Sequence, residues 1–103
     1  MYNKTLMTDF YELTMAGTYF NEGKKDEQVY FDIFFRKNPF EGGYTISGGL
    51  DETIDYIKNF HFGEEELDYL RKLGKFNEEF LNYLSTLKFE GDIYAVPDGT
   101  VVF

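Results

Sequence analysis

Nine residues, Gln28-Val29-Tyr30-Phe31-Asp32-Ile33-Phe34-Phe35-Arg36, constrain the fold of this chain more than any other stretch. β-Branched and aromatic side chains fit a pleated surface, so the run reads as a strand. At a period of two, Val29, Phe31, Ile33 and Phe35 share one wholly apolar face, which belongs in a core. Tyr30, Asp32, Phe34 and Arg36 share the other, which is partly buried or lines something polar. A strand needs partners. Pro39 and the pair Gly42-Gly43 break the run over 37–43, and Tyr44-Thr45-Ile46 is the expected antiparallel return. Twelve Phe and nine Tyr with no Trp imply a core of large flat side chains, which favours helices laid over a sheet.

Elsewhere the apolar period is helical. Residues 9–22 form a first helix, with Phe10, Leu13, Gly17 and Phe20 on one stripe and Gly23 as the left-handed closing residue. Asp9 is its expected N-cap, and Glu12 stands three residues on to complete a capping box. A second helix spans about 50–60 on Leu50, Ile54 and Ile57. Gly63 and the triplet Glu64-Glu65-Glu66 open a third, with Leu67, Leu70 and Leu73 inward and Gly74 at its end. Asn77 caps a fourth, which opens with Glu78-Glu79 and buries Phe80, Leu81, Leu84 and Leu87. Ile93-Tyr94-Ala95-Val96 reads as a strand, Pro97-Asp98-Gly99 as a tight turn, and Thr100-Val101-Val102-Phe103 as the start of another strand. The fold class expected is α+β, helices on a mostly antiparallel sheet, with 1–103 as a single domain portion. The chain stops on an apolar strand without a turn or polar tail, and so reads as a fragment.

Charge narrows the function. A net charge of −9 lacks the basic face that nucleic acid or an anionic membrane surface requires. Without cysteine there is neither a disulfide framework nor a thiolate metal site. No run reaches signal-peptide or membrane-span length, so a soluble, cytoplasmic protein is expected.

Few residues invite chemistry. Tyr11 lies about 100° round from Phe10 on the first helix, off the core stripe. It is either a half-buried tyrosine on an ordinary amphipathic helix or a ring held out to meet another molecule. His61, the only histidine, sits between two Phe at a helix end, where capping or packing is favoured over catalysis. Ser47-Gly48-Gly49 before a helix could hold an anion on backbone N–H groups, although a tight turn is the better reading. Arg36 and Lys37 make a local positive site in an acidic chain. Either Arg36 pairs with Asp32 on the same strand face, or the two cations capture phosphate.

Four blocks together resemble the N-terminal part of nicotinate phosphoribosyltransferase. They are Thr8-Asp9-Phe10-Tyr11-Glu12-Leu13-Thr14-Met15, Phe34-Phe35-Arg36-Lys37-Asn38-Pro39-Phe40, Gly48-Gly49-Leu50, and Gly91-Asp92-Ile93-Tyr94-Ala95-Val96-Pro97-Asp98-Gly99-Thr100. The resemblance implies a segment of a type II phosphoribosyltransferase whose irregular α/β barrel is absent from this chain. It implies an enzyme that condenses nicotinate with 5-phosphoribosyl 1-pyrophosphate, assisted by ATP and Mg2+, to give nicotinate mononucleotide and pyrophosphate on the route to NAD. It implies a homodimer with active sites at the subunit interface. Tyr11 would stack on the pyridine ring in the neighbouring subunit's barrel, with Asp9 close by. Arg36 resembles the residue that meets substrate phosphate, and Lys37 is the alternative for that role. The family's phosphorylatable histidine belongs to a barrel motif that His61 does not match. The segment alone is then expected to bind no cofactor and to be inactive. A non-catalytic dimerisation or assembly module, or a truncated piece dependent on its missing barrel, are the competing readings.

Overall fold

The computed structural model describes residues 3–103, and its order follows from where apolar residues find partners. Helix α1 (Phe10–Asn21) is followed by a long irregular stretch with one 3-10 turn at Pro39–Glu41. Then come β1 (Thr45–Ile46), α2 (Leu50–Lys58), α3 (Glu64–Leu73), α4 (Glu78–Thr86) and β2 (Val101–Val102). The two strands pair antiparallel, Thr45 with Val102 and Ile46 with Val101. Four helices and this small sheet make an α+β fold.

The core is built by α1, α3 and α4. Leu13, Phe62, Leu67, Leu70, Phe80, Leu81 and Leu84 are buried in one cluster. At its centre, Phe80 is 1% exposed and meets Phe20 and Phe76, each with ring centroids 5.6 Å away. Gly17 faces this ring: a β-carbon there would lie 3.6 Å from Phe80 Cε2, at ordinary contact distance. Arg71 ties α3 to α4, donating to Asp68 Oδ1 at 2.7 Å and to Glu78 Oε1 at 2.6 Å. The same guanidinium holds the Glu78 carboxyl below its ordinary range. That pair therefore contributes at neutral pH and is lost as acid protonates Glu78, though an exposed bridge is worth little.

Most helix ends match the sequence reading. Asn77 Oδ1 accepts the Phe80 N–H at 2.7 Å, capping α4. Gly23, at φ +72°, closes α1, with its N–H on the Phe20 carbonyl and that of Lys24 on the Tyr19 carbonyl. The α1 capping box does not form. Asp9 is the N-cap residue, but its carboxylate makes no cap bond, and the Glu12 carboxylate accepts the Thr8 hydroxyl. Leu73, expected inward, is 37% exposed at the last turn of α3.

The sheet departs furthest from expectation. Residues 28–36 form no strand and every one of them is exposed, Tyr30 at 95% and Ile33 at 91%. Ile46 pairs with Val101 rather than with this run, and 93–96 is irregular too. A strand needs both a ladder partner and a surface to cover its apolar face. The described residues supply neither to 28–36.

Phe80→Ala is expected to cost about 3–5 kcal/mol, because the ring sits at the junction of three helices. Asn77→Ala should cost about 1 kcal/mol through the lost cap. Urea unfolding followed by circular dichroism checks both.

Candidate functional site

Tyr11 sits on the first turn of α1, 59% exposed, while Leu13 two residues on is buried. The helical period explains the contrast: Leu13 and Gly17 face α4, and Tyr11 lies on another side. Asp9 is exposed immediately before it, with its side chain free of any cap bond. Thr14 donates its hydroxyl to the Tyr11 carbonyl at 2.9 Å, so this part of the helix is tied to itself. Leu6, Met7, Thr8, Asp9 and Glu12 line a shallow depression of about 560 Å3 beside it. A second groove of about 500 Å3 runs along α1 between Thr14 and Asn21 and is closed by Lys75 to Asn77. Tyr11 lines neither.

Arg36 and Lys37 stand at a bend after the irregular stretch, both exposed. Among the described residues neither forms an ion pair, so the Asp32–Arg36 bridge is not made. That follows from the missing strand, which would have set the two on one face. Beyond the bend, Asn38 accepts the Thr45 hydroxyl at 2.8 Å, tethering the loop to β1. Phe40 and Glu41 hold left-handed backbone at φ 58° and 55°, a strained arrangement for side chains other than glycine, and Phe40 is fully exposed. No hydrogen bond or ion pair among the described residues joins the Tyr11 turn to this cationic bend.

The other candidates have structural roles. Leu50 N–H, at the start of α2, donates to Asp98 Oδ1 at 3.2 Å. Ser47 exchanges backbone bonds with Gly99 and Thr100 at 2.7 and 2.8 Å. The Ser47-Gly48-Gly49 turn thus meets a carboxylate from its own chain. Asp98 gave no local signal in the sequence, being 48 residues from its partner. His61 is exposed, with Nδ1 on the Asn59 carbonyl at 2.8 Å. Among the described residues no group of three or more His, Asp or Glu is placed to hold a metal ion, and no helix is long and apolar enough to cross a membrane.

Residues 6–103 match the family model described as the nicotinate phosphoribosyltransferase N-terminal domain. The chain is 45% identical over 98 residues to nicotinate phosphoribosyltransferase pncB2 of Mycobacterium tuberculosis, covering 95% of this chain and 21% of that protein. It is 43% identical over 101 residues to the nicotinate phosphoribosyltransferase of Caenorhabditis elegans, covering 95% and 18%. With that of Bacillus subtilis it shares 39% over 99 residues, covering 96% and 20%. The chain belongs to the nicotinate phosphoribosyltransferase family, within its N-terminal domain. It spans about a fifth of the length of these relatives.

Because Tyr11 and Arg36 support no neighbour, Tyr11→Ala and Arg36→Ala should each change folding stability by less than about 0.5 kcal/mol. Thermal unfolding of the two variants beside the parent chain checks this.

Proposed function

We propose that these 103 residues work as the N-terminal part of a nicotinate phosphoribosyltransferase. The complete protein would join nicotinate to 5-phosphoribosyl 1-pyrophosphate, releasing nicotinate mononucleotide and pyrophosphate. The single observation that carries the reading is Tyr11, a large ring 59% exposed on the first turn of a helix whose opposite side is locked into the core. A flat pyridine ring is the natural partner of such a side chain, and the partner would come from a second subunit of a homodimer. Asp9 stands at the same turn and would border the ring. The anionic phosphates of the other substrate need local cations in an acidic chain, and Arg36 or Lys37 supplies them.

ATP, with Mg2+, would supply the driving force for the condensation in the complete enzyme. Among the described residues no three carboxylates converge to hold a metal ion, so the groups that would hold Mg2+ are proposed to belong to the remaining part of the protein. The same is proposed for the barrel of the type II fold and for the groups that read the nicotinate carboxylate. The cytoplasm is the compartment proposed for this reaction.

The surface also supports a place within a longer polypeptide. A packed protein of this mass exposes about 6,000 Å2, whereas this chain exposes 9020 Å2. Its radius of gyration is 16.7 Å, against about 13 Å for a packed domain of the same length. The aromatic run 28–35 belongs to this exposed surface and has no ladder partner among the described residues. The downstream polypeptide of the complete protein would cover it.

In the full-length protein, Tyr11→Ala should raise the KM for nicotinate about two- to tenfold, the worth of one aromatic stack. An unchanged nicotinate KM would show that Tyr11 does not touch the ring. Of Arg36→Ala and Lys37→Ala, the one that removes the phosphate contact should raise the KM for 5-phosphoribosyl 1-pyrophosphate about tenfold or more. Backbone amides of 29–35 should exchange at least about a hundredfold more slowly in the full-length protein than in the 103-residue chain. Equal exchange in both would remove the packing role. Protection that instead grows with the concentration of the 103-residue chain would assign the cover to a second copy.

A further inference from the structure

One side chain fastens the arm ahead of α1 to the far corner of the domain. Asn3 Nδ2 donates to Glu66 Oε1 at 2.7 Å and to the His61 carbonyl at 3.1 Å, and lies 3.4 Å from His61 Nε2. Its Oδ1 accepts the Thr5 N–H at 3.0 Å, so donor and acceptor ends of the amide are both engaged. The partners are themselves held. Glu66 Oε1 also accepts the Gly63 N–H at 2.9 Å, at the start of α3. His61 Nδ1 donates to the Asn59 carbonyl at 2.8 Å, just after α2. Thr5, next along the arm, is 3% exposed, and Leu6 packs against the core. The Met7 N–H then returns to the Lys4 carbonyl at 2.9 Å, and the chain enters α1.

We infer that Asn3 is a positioning residue for the turn that presents Tyr11, acting through Glu66 and the His61 carbonyl without touching substrate. The inference rests on the reading of Tyr11 given above. α4 grips α1 along Leu13, Gly17 and Phe20, all on the C-terminal side of Tyr11. Ahead of Tyr11, the Thr8–Glu12 bond is internal to the turn, and Phe10 meets Phe76 only edge-on while staying 46% exposed. The arm is what fixes the N-terminal side, and Asn3 is the polar anchor of the arm. A stacking ring contributes only when held close to its productive angle, so loosening the arm would weaken stacking before it weakened the core.

The test uses the full-length protein. Asn3→Asp replaces the donating amide with a carboxylate facing Glu66, and should raise the KM for nicotinate about threefold or more with kcat changed less than twofold. Asn3→Ala, which removes the donor without adding charge, should act in the same direction more weakly. Asn3→Asp combined with Glu66→Gln restores a donor opposite an acceptor at position 66 while keeping an acceptor for Gly63, though not the bond to the His61 carbonyl, and should bring the KM at least about twofold below that of Asn3→Asp alone. Tyr11→Ala in the same assay separates the two ideas. If it raises the KM and neither Asn3 variant does, the positioning role is overturned and the stacking role stands. If it leaves the KM unchanged, stacking fails and this inference fails with it. A KM no lower in the double variant than in Asn3→Asp alone also overturns it, because the effect would then come from general loosening of the fold.

Discussion

The helical core depends on how α1, α3 and α4 close around the Phe80 ring. Gly17 is buried at the crossing of α1 and α4, facing the Phe80 ring, which is 1% exposed. Phe20 and Phe76 then close over the ring from either side, and Leu70, Leu81 and Leu84 complete the buried wall. This places one face of α1 under the core and turns the remainder outward. Tyr11 is exposed for the same reason that Leu13 is buried: two positions on a 3.6-residue period cannot both face α4.

The second ordered region is smaller and held by polar bonds. The β1–β2 ladder is only two residues long on each strand, and a pair that short is not stable by itself. Ser47 extends it with backbone bonds to Gly99 and Thr100, and Asp98 caps the N-terminus of α2. Turn, ladder and helix start therefore form one unit. Tyr94, Ile93 and Val96 approach it as irregular chain with exposed apolar side chains, as the 28–35 run does on the other side of the sequence. The arrangement is a sheet begun and not finished, and it agrees with a chain that spans about a fifth of its relatives.

The polar anchors share one property: their partners are distant in sequence. Asn3 reaches Glu66 across 63 positions and Asp98 reaches Leu50 across 48. Asn3 stands in no pattern that distinguishes it from any surface Asn, and the turn and motif that hold Asp98 do not name Leu50 as its partner. Only folding brings the partners into reach. His61 illustrates the same point from the other direction, since the sequence singled it out as the lone imidazole and the fold uses its carbonyl and its Nδ1 at a helix junction.

The sequence by itself determined the helices. Their stripes, the Asn77 cap and the Gly23 and Gly74 closures are local, set by interactions within a turn or two. It also placed Tyr11 off the core stripe, and its motifs identified the family. The strands at 44–46 and 100–103 were legible too, but the tertiary structure alone decided which runs found a partner, because a β-run takes its ladder from elsewhere in the chain. So 28–36, the strongest strand signal in the chain, stayed irregular, and weaker Thr45–Ile46 paired with Val101–Val102. For the same reason the Asp32–Arg36 pair did not form: its geometry depended on a pleat that only a neighbouring strand could impose.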